Sequence, residues 1–204
     1  VVRTFDLGQH ADDHFLTMEY VDGRSLAQLL DDGPLGTDEV LRIARAVAGG
    51  LAAAHASAVM HRDLKPDNIL VGKAGRIAST DFGIARLAES PQATREKFIG
   101  TPAYMAPEQV EGRELAPAAD VYAFGAILFE MITGRRAWVG EDPFAVALAR
   151  LRQPPPDPRT LRAVPDALAA LVKRCLAREP AGRFRDGAEL AAALASIHDV
   201  DATD

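Results

Sequence analysis

Apolar residues fall first into short β-rich runs and then into helically spaced ones. VVRTFDLG (1–8) and HFLTMEYV (14–21), joined by QHADD, predict a β-hairpin. Beyond Gly23 helices are expected to dominate. A short helix is predicted over 25–31, and a long one through VLRIARAVAGGLAAAHASAV, with Thr37 as its cap. NILV and RIAS, around the turn GKAG, predict two short strands. Residues 84–105 keep no period and predict a long surface loop. ADVYAFGAILFEMITG (119–134) is apolar nearly all the way round, the mark of a helix buried on every side, and Gly134 is a suitable stop. Two or three amphipathic helices follow, split by QPPPDP at 153–158. One is expected to take Pro165 as its first helical residue and to end before Pro180. The last opens at DGAEL, with Asp186 and Glu189 in capping-box register.

Composition narrows the class. A 204-residue chain that is 48% hydrophobic and 25% charged can fill a core as a soluble globular protein. A net charge of −6 argues against nucleic acid or an anionic membrane as the main partner. The single cysteine, Cys175, allows no internal disulfide and fits a reducing, cytoplasmic setting. It lies in ALAALVKRCLA, an amphipathic run where burial is expected rather than a reactive thiol. The longest apolar stretch, FGAILFEMI (124–132), is too short to span a membrane, and no signal peptide opens the chain. The first residue is Val1 rather than Met, so the chain is expected to begin partway through its domain.

The chemistry is concentrated in HRDLKPDN (61–68) and TDFG (80–83). Moving a phosphoryl group from a nucleotide to a hydroxyl requires a held divalent cation, a positive charge on the transferring group and an oriented acceptor. Asp63 can accept the hydroxyl proton. Lys65, two residues on in extended backbone, points the same way and can neutralise the phosphate. Asn68 and Asp81 offer hard oxygen ligands of the kind Mg2+ takes. Pro66 stiffens the loop. A polar surface loop with ordinary salt bridges would account for any one of these residues. It accounts poorly for the ordered set around the apolar Ile69, Leu70 and Val71.

HRDLKPDN resembles the catalytic loop of serine/threonine protein kinases, and DFG resembles their metal-binding loop. The resemblance continues in order through GTPAYMAPE (100–108), DVYAFG (120–125) and Arg183 in REPAGRF. DFGIAR and GTPAYMAPEQ are similar to the bacterial, eukaryotic-like branch. It implies an α+β, protein-kinase-like fold: 1–22 as the last two strands of the small lobe and the hinge, 23–198 as the helical large lobe, 199–204 as an acidic tail. It implies ATP and Mg2+ as cofactors and a protein bearing Ser or Thr as the partner, with no nucleic acid and no membrane segment. Asp63 would be the catalytic base, Lys65 would contact the γ-phosphate, and Asn68 and Asp81 would bind Mg2+. His61 and Phe82 would pack inside the active form, beside Gly83. Arg62 would grip a phosphorylated loop residue, for which Thr94 is the candidate. Thr101 would lie under the substrate hydroxyl. Glu108 would pair with Arg183, and Asp120 would hold the catalytic loop backbone. In TMEYVDG (17–23), Met18 would be the gatekeeper, backbone groups of Glu19 and Val21 would bond the adenine edge, and Leu70 would form its floor. His55 is expected to be a hydrogen-bonded interior histidine.

The sequence departs from the family pattern at its start. The first lysine is Lys65, and the glycines before His61 (Gly8, Gly23, Gly33, Gly36, Gly49 and Gly50) form no GxGxxG. No Gly-rich loop, strand lysine or paired helix glutamate is present in these residues, so weak ATP affinity and little turnover are expected of them alone. A non-catalytic scaffold is the competing class. A small-molecule phosphotransferase is disfavoured by GTPAYMAPE, which resembles a peptide platform. Ala78 and Ser79 stand where the family usually has a lysine and an apolar residue, and Thr4 where it has an apolar one.

Overall fold

A computed structural model describes residues 1–10, 13–73, 75–82 and 102–197. The hairpin forms from β1 (Thr4–His10) and β2 (Asp13–Met18), antiparallel, with Leu7 opposite Leu16 and an irregularity between Thr4 and Asp6. Both strands reach into the QHADD run, β1 to His10 and β2 from Asp13. The two predicted short strands are β4 (Ile69–Gly72) and β5 (Ile77–Ser79). They gain a third partner that the pattern did not indicate, β3 (Gly23–Ser25), giving the order β3–β4–β5. Gly23-Arg24-Ser25 has no strand periodicity of its own. It is extended because Gly23 pairs with Gly72 and Ser25 with Leu70. Val2 N–H donates to Ser79 O at 3.0 Å and so ties the start of the chain to this second sheet.

Helix α1 (Leu26–Leu30) is held by a closed capping box: Gln28 N–H donates to Ser25 Oγ at 3.2 Å and Ser25 N–H to Gln28 Oε1 at 3.0 Å. Helix α2 (Thr37–Ala56) corrects the expected cap. Gly36 is the N-cap, no side chain caps it, and Asp38 and Glu39 in the first turn complement the helix dipole instead. A short α3 (Pro107–Val110) precedes α4 (Ala118–Thr133), in which only Glu130 and Thr133 escape burial. Gly134 ends α4 at φ 68°, the left-handed value that favours glycine.

Three amphipathic helices follow: α5 (Pro143–Arg152), α6 (Asp166–Cys175) and α7 (Gly187–Ala195). Pro165 is the N-cap of α6 rather than its first helical residue. Asp186 caps α7 by accepting from Ala188 and Glu189 N–H, but the Glu189 carboxylate takes the Arg185 N–H at 2.8 Å, so the capping box does not close. Helix α4 is the centre of the core, with α2 and α6 against it and α7 against α2. Cys175 is fully buried on α6, and burial pushes its thiol up, away from the reactive thiolate.

Candidate active site

The segment after α2 is fastened from below. Asp120, in the first turn of α4 and 2% exposed, accepts the His61 N–H at 2.7 Å and the Arg62 N–H at 2.8 Å. His55 Nε2 lies 2.9 Å from the same carboxylate. Gly187 N–H donates to His55 Nδ1 at 2.9 Å, so Nδ1 is the acceptor and Nε2 carries the hydrogen toward Asp120. One buried carboxylate thus orders the turn at 61–62, and its histidine partner reaches the N-terminus of α7. The turn itself is strained: Arg62 has φ 67°. It is clamped on both sides, since its carbonyl accepts from Gln109 Nε2 at 2.9 Å while Asp120 takes its N–H.

Past the turn the polar groups gather. Lys65 is extended, with φ −152° and ψ 163°, and its Nζ donates to Asp63 Oδ2 at 2.8 Å. The Asp63 side chain is 47% exposed. Asn68 Nδ2 donates to the Asp63 carbonyl at 3.0 Å, and among the described residues no donor reaches its amide oxygen. The Asn68 carbonyl accepts the Thr80 N–H at 2.9 Å, beside the pairing of Ile69 with Ser79. Thr80 Oγ1 lies 3.3 Å from Asp81 Oδ2. Asn68 is therefore the joint between the loop carrying Asp63 and the loop carrying Asp81. Asp81, like Arg62, has a left-handed backbone, at φ 61°.

His61 reports the same convergence. Its ring is fully buried, 4.4 Å between centroids from the Phe82 ring. Burial pushes the imidazole below its usual range, while the carboxylates of Asp120, Asp63 and Asp81 all pull the other way. Asp63 and Asp81 thus both act on one imidazole.

Glu108 and Arg183 form a bidentate pair at 2.6 and 2.8 Å, with side chains 2% and 0% exposed. Arg183 gives its other N–H groups to the carbonyls of Ala118, Ala177 and Arg178, so all its donors are used. Met18 ends β2 half exposed. Glu19 N–H donates to the Arg3 carbonyl at 2.9 Å, and the Glu19 carboxylate pairs with Arg76. Val21 lies against Gly72, and Leu70 sits mid-strand between Ser25 and Ala78. A cleft of about 220 Å3 beside them is lined by Tyr20, Val21, Asp22, Gly72, Lys73 and Arg76, so it lies apart from the meeting of Asp63 and Asn68. Gly83, Thr94 and Thr101 lie outside the described residues.

Several contacts carry no sequence signal: Gln109 on the Arg62 carbonyl, Tyr104 Oη on Glu130 at 2.6 Å, and Arg150 on the Met105 carbonyl. Each joins residues remote in the chain through an ordinary side chain.

Residues 1–193 match the protein kinase domain. Serine/threonine-protein kinase drp72 of Corynebacterium efficiens is 38% identical over 204 residues, covering 97% of this chain and 39% of its own length. Serine/threonine-protein kinase PkaA of Streptomyces coelicolor is 42% identical over 188 residues, covering 90% of this chain and 34% of its own. PrkC of Bacillus subtilis is 33% identical over 204 residues, 98% of this chain and 32% of its own. The chain thus spans well under half the length of these curated relatives. Among the described residues no helix is long and apolar enough to cross a membrane. With a motif order, a buried central helix and a family match that all run through the same residues, the chain belongs to the protein kinase family.

Proposed function

We propose that this chain carries the catalytic residues of a protein serine/threonine kinase, which moves the γ-phosphoryl group of ATP to a Ser or Thr hydroxyl of a protein. The observation that carries this reading is the bonded set Asp63, Lys65 and Asn68, with Asp81 attached through Thr80. The Asp63 carboxylate accepts the acceptor's proton as its oxygen bonds phosphorus. The bond from the γ-phosphorus to the bridging oxygen breaks, and its electron pair leaves with ADP. The Lys65 ammonium, already on Asp63, neutralises charge on the group in flight. The Asn68 amide oxygen and the Asp81 carboxylate are hard donors that fit Mg2+, which when bound supplies positive charge to the phosphates. Asn68 suits that task because its nitrogen is already committed to Asp63.

In this reading residues 1–22 are small-lobe strands and hinge, and 23–198 the large lobe. The Glu19 N–H is spent on Arg3, so its carbonyl and the backbone of Val21 meet adenine, above Leu70 and behind Met18. Arg62 receives a phosphate on Thr94, Thr101 sits by the acceptor, and a cytoplasmic setting supplies ATP. A scaffold reading is favoured by the absence from these residues of GxGxxG, the strand lysine and its helix glutamate.

The test is γ-phosphate transfer to a Ser/Thr protein by the full-length polypeptide that carries this chain, beside its Asp63→Ala variant. A loss of about a hundredfold or more is expected. Equal rates in the two proteins would reject the reading. Residues 1–204 alone are expected to turn over little, and robust transfer by them above the Asp63→Ala control would show that they need no phosphate loop.

A further inference from the structure

Six buried polar side-chain atoms lack a partner among the described residues. Two belong to His61. The other four are Tyr122 Oη, Trp138 Nε1 and Nε and Nη2 of Arg150, on three side chains stacked on one another. The Arg150 guanidinium lies over the Trp138 ring at 5.7 Å, and Trp138 stacks on Tyr122 with centroids 5.8 Å apart. The Arg183 guanidinium lies 4.9 Å from the Tyr122 ring centroid, and Arg183 holds Glu108. A continuous stack therefore runs from α5 to the Glu108 pair.

Arg150 is the odd member. It is 2% exposed and has no carboxylate at ion-pair distance among the described residues. Its single hydrogen bond among the described residues is from Nη1 to the Met105 carbonyl. A guanidinium does not shed its proton at neutral pH, so among the described residues this is a buried cation balanced only by an aromatic face and one neutral carbonyl. Such a group is costly where it stands, and an apolar side chain of similar volume would cost less. Its one polar contact lies three residues before Glu108, and α5 packs on the 3-10 turn at 102–104. The segment 102–108 is thus pinned at one end by a fully satisfied ion pair and at Met105 by this lone cation.

We propose that Arg150 is a positioning residue: through Met105 it holds residues 102–108 in the shape that receives the acceptor peptide, so that α5 governs peptide affinity. This rests on the kinase reading above. A residue that merely fills the core would behave differently when replaced, because its loss would lower stability and leave peptide affinity alone.

The experiment compares wild type, Arg150→Met and Arg150→Lys in the full-length polypeptide. In Arg150→Met, KM for a Ser/Thr peptide is expected to rise about tenfold, while KM for ATP and kcat stay within about twofold. Its Tm is expected to be no lower than wild type. Backbone amides at 105–110 are expected to exchange hydrogen faster while those of α4 and α6 do not change. Arg150→Lys, which keeps a donor, is expected to recover part of the peptide KM. A lower Tm with unchanged peptide KM, or unchanged exchange at 105–110, overturns the inference. If wild type itself transfers no more phosphate than Asp63→Ala, the kinase reading fails instead. The exchange measurement then still decides, faster exchange at 105–110 supporting the Arg150 tether and unchanged exchange overturning it.

Discussion

His61 occupies a site where burial and charge oppose each other, and burial prevails. The folded imidazole sits below its ordinary value of 6.5, so the unfolded chain binds this proton more readily. The sign follows: the contribution is fully present above the unfolded value and is lost as pH falls through the folded one. Wild type is therefore expected to lose stability between about pH 7.5 and about pH 5 faster than His61→Phe, which keeps a ring against Phe82 and cannot titrate. Parallel pH profiles in chemical denaturation would contradict this. Asp120 carries more. Asp120→Asn sets an NH2 group against a backbone N–H or against His55 and is expected to destabilise by about 2 kcal/mol or more, read from denaturation midpoints. His55 was legible as an interior histidine from its place in the long helix. Its link to Gly187 was not, because 132 residues separate the pair.

Helix contacts depend on two glycines. A Cβ on Gly187 would stand 2.4 Å from Ala52 N and 2.5 Å from Leu51 C, both backbone atoms of α2 that cannot rotate away. A Cβ on Gly125 would stand 2.5 Å from Cys175 Cβ, between α4 and α6. Gly187→Ala is expected to force α7 off α2 and to cost about 1–3 kcal/mol, with Tm lowered in thermal unfolding. Ser25→Ala, which opens the capping box of α1, is expected to cost about 1 kcal/mol by the same measurement. Periodicity found α2, α4 and the later helices because each carries its own apolar face. It missed β3 because those three residues are extended only by pairing with β4. Thr37 and Pro165 were displaced by one position because end geometry depends on what the neighbouring turn can reach.

Across the whole molecule the Glu108–Arg183 pair joins the segment after residue 101 to the stretch between α6 and α7. Glu108→Met or Arg183→Met alone leaves one buried charge and is expected to cost about 3–5 kcal/mol. Changing both, with Glu108→Met and Arg183→Met, is expected to cost less than the sum of the singles. A double-mutant cycle in denaturant checks this, and strict additivity would show that the two act independently.

Motif order was enough to place the chain in its family and to single out Asp63, Lys65, Asn68 and Asp81 as candidates, since oxygen ligands, a base and a cation at fixed spacing are a chemical requirement written locally in the chain. Hydrophobic spacing was enough for the helices, because a helix buries its face wherever it lies. Folding alone decided which groups meet. Asn68 joins two loops only because β4 pairs with β5, Asp120 reaches the 61–62 turn only because α4 runs beneath it, and Arg150 finds Met105 only when α5 closes on the 102–104 turn. Such contacts join side chains far apart in the chain, and local pattern holds no record of distances that the packed core sets.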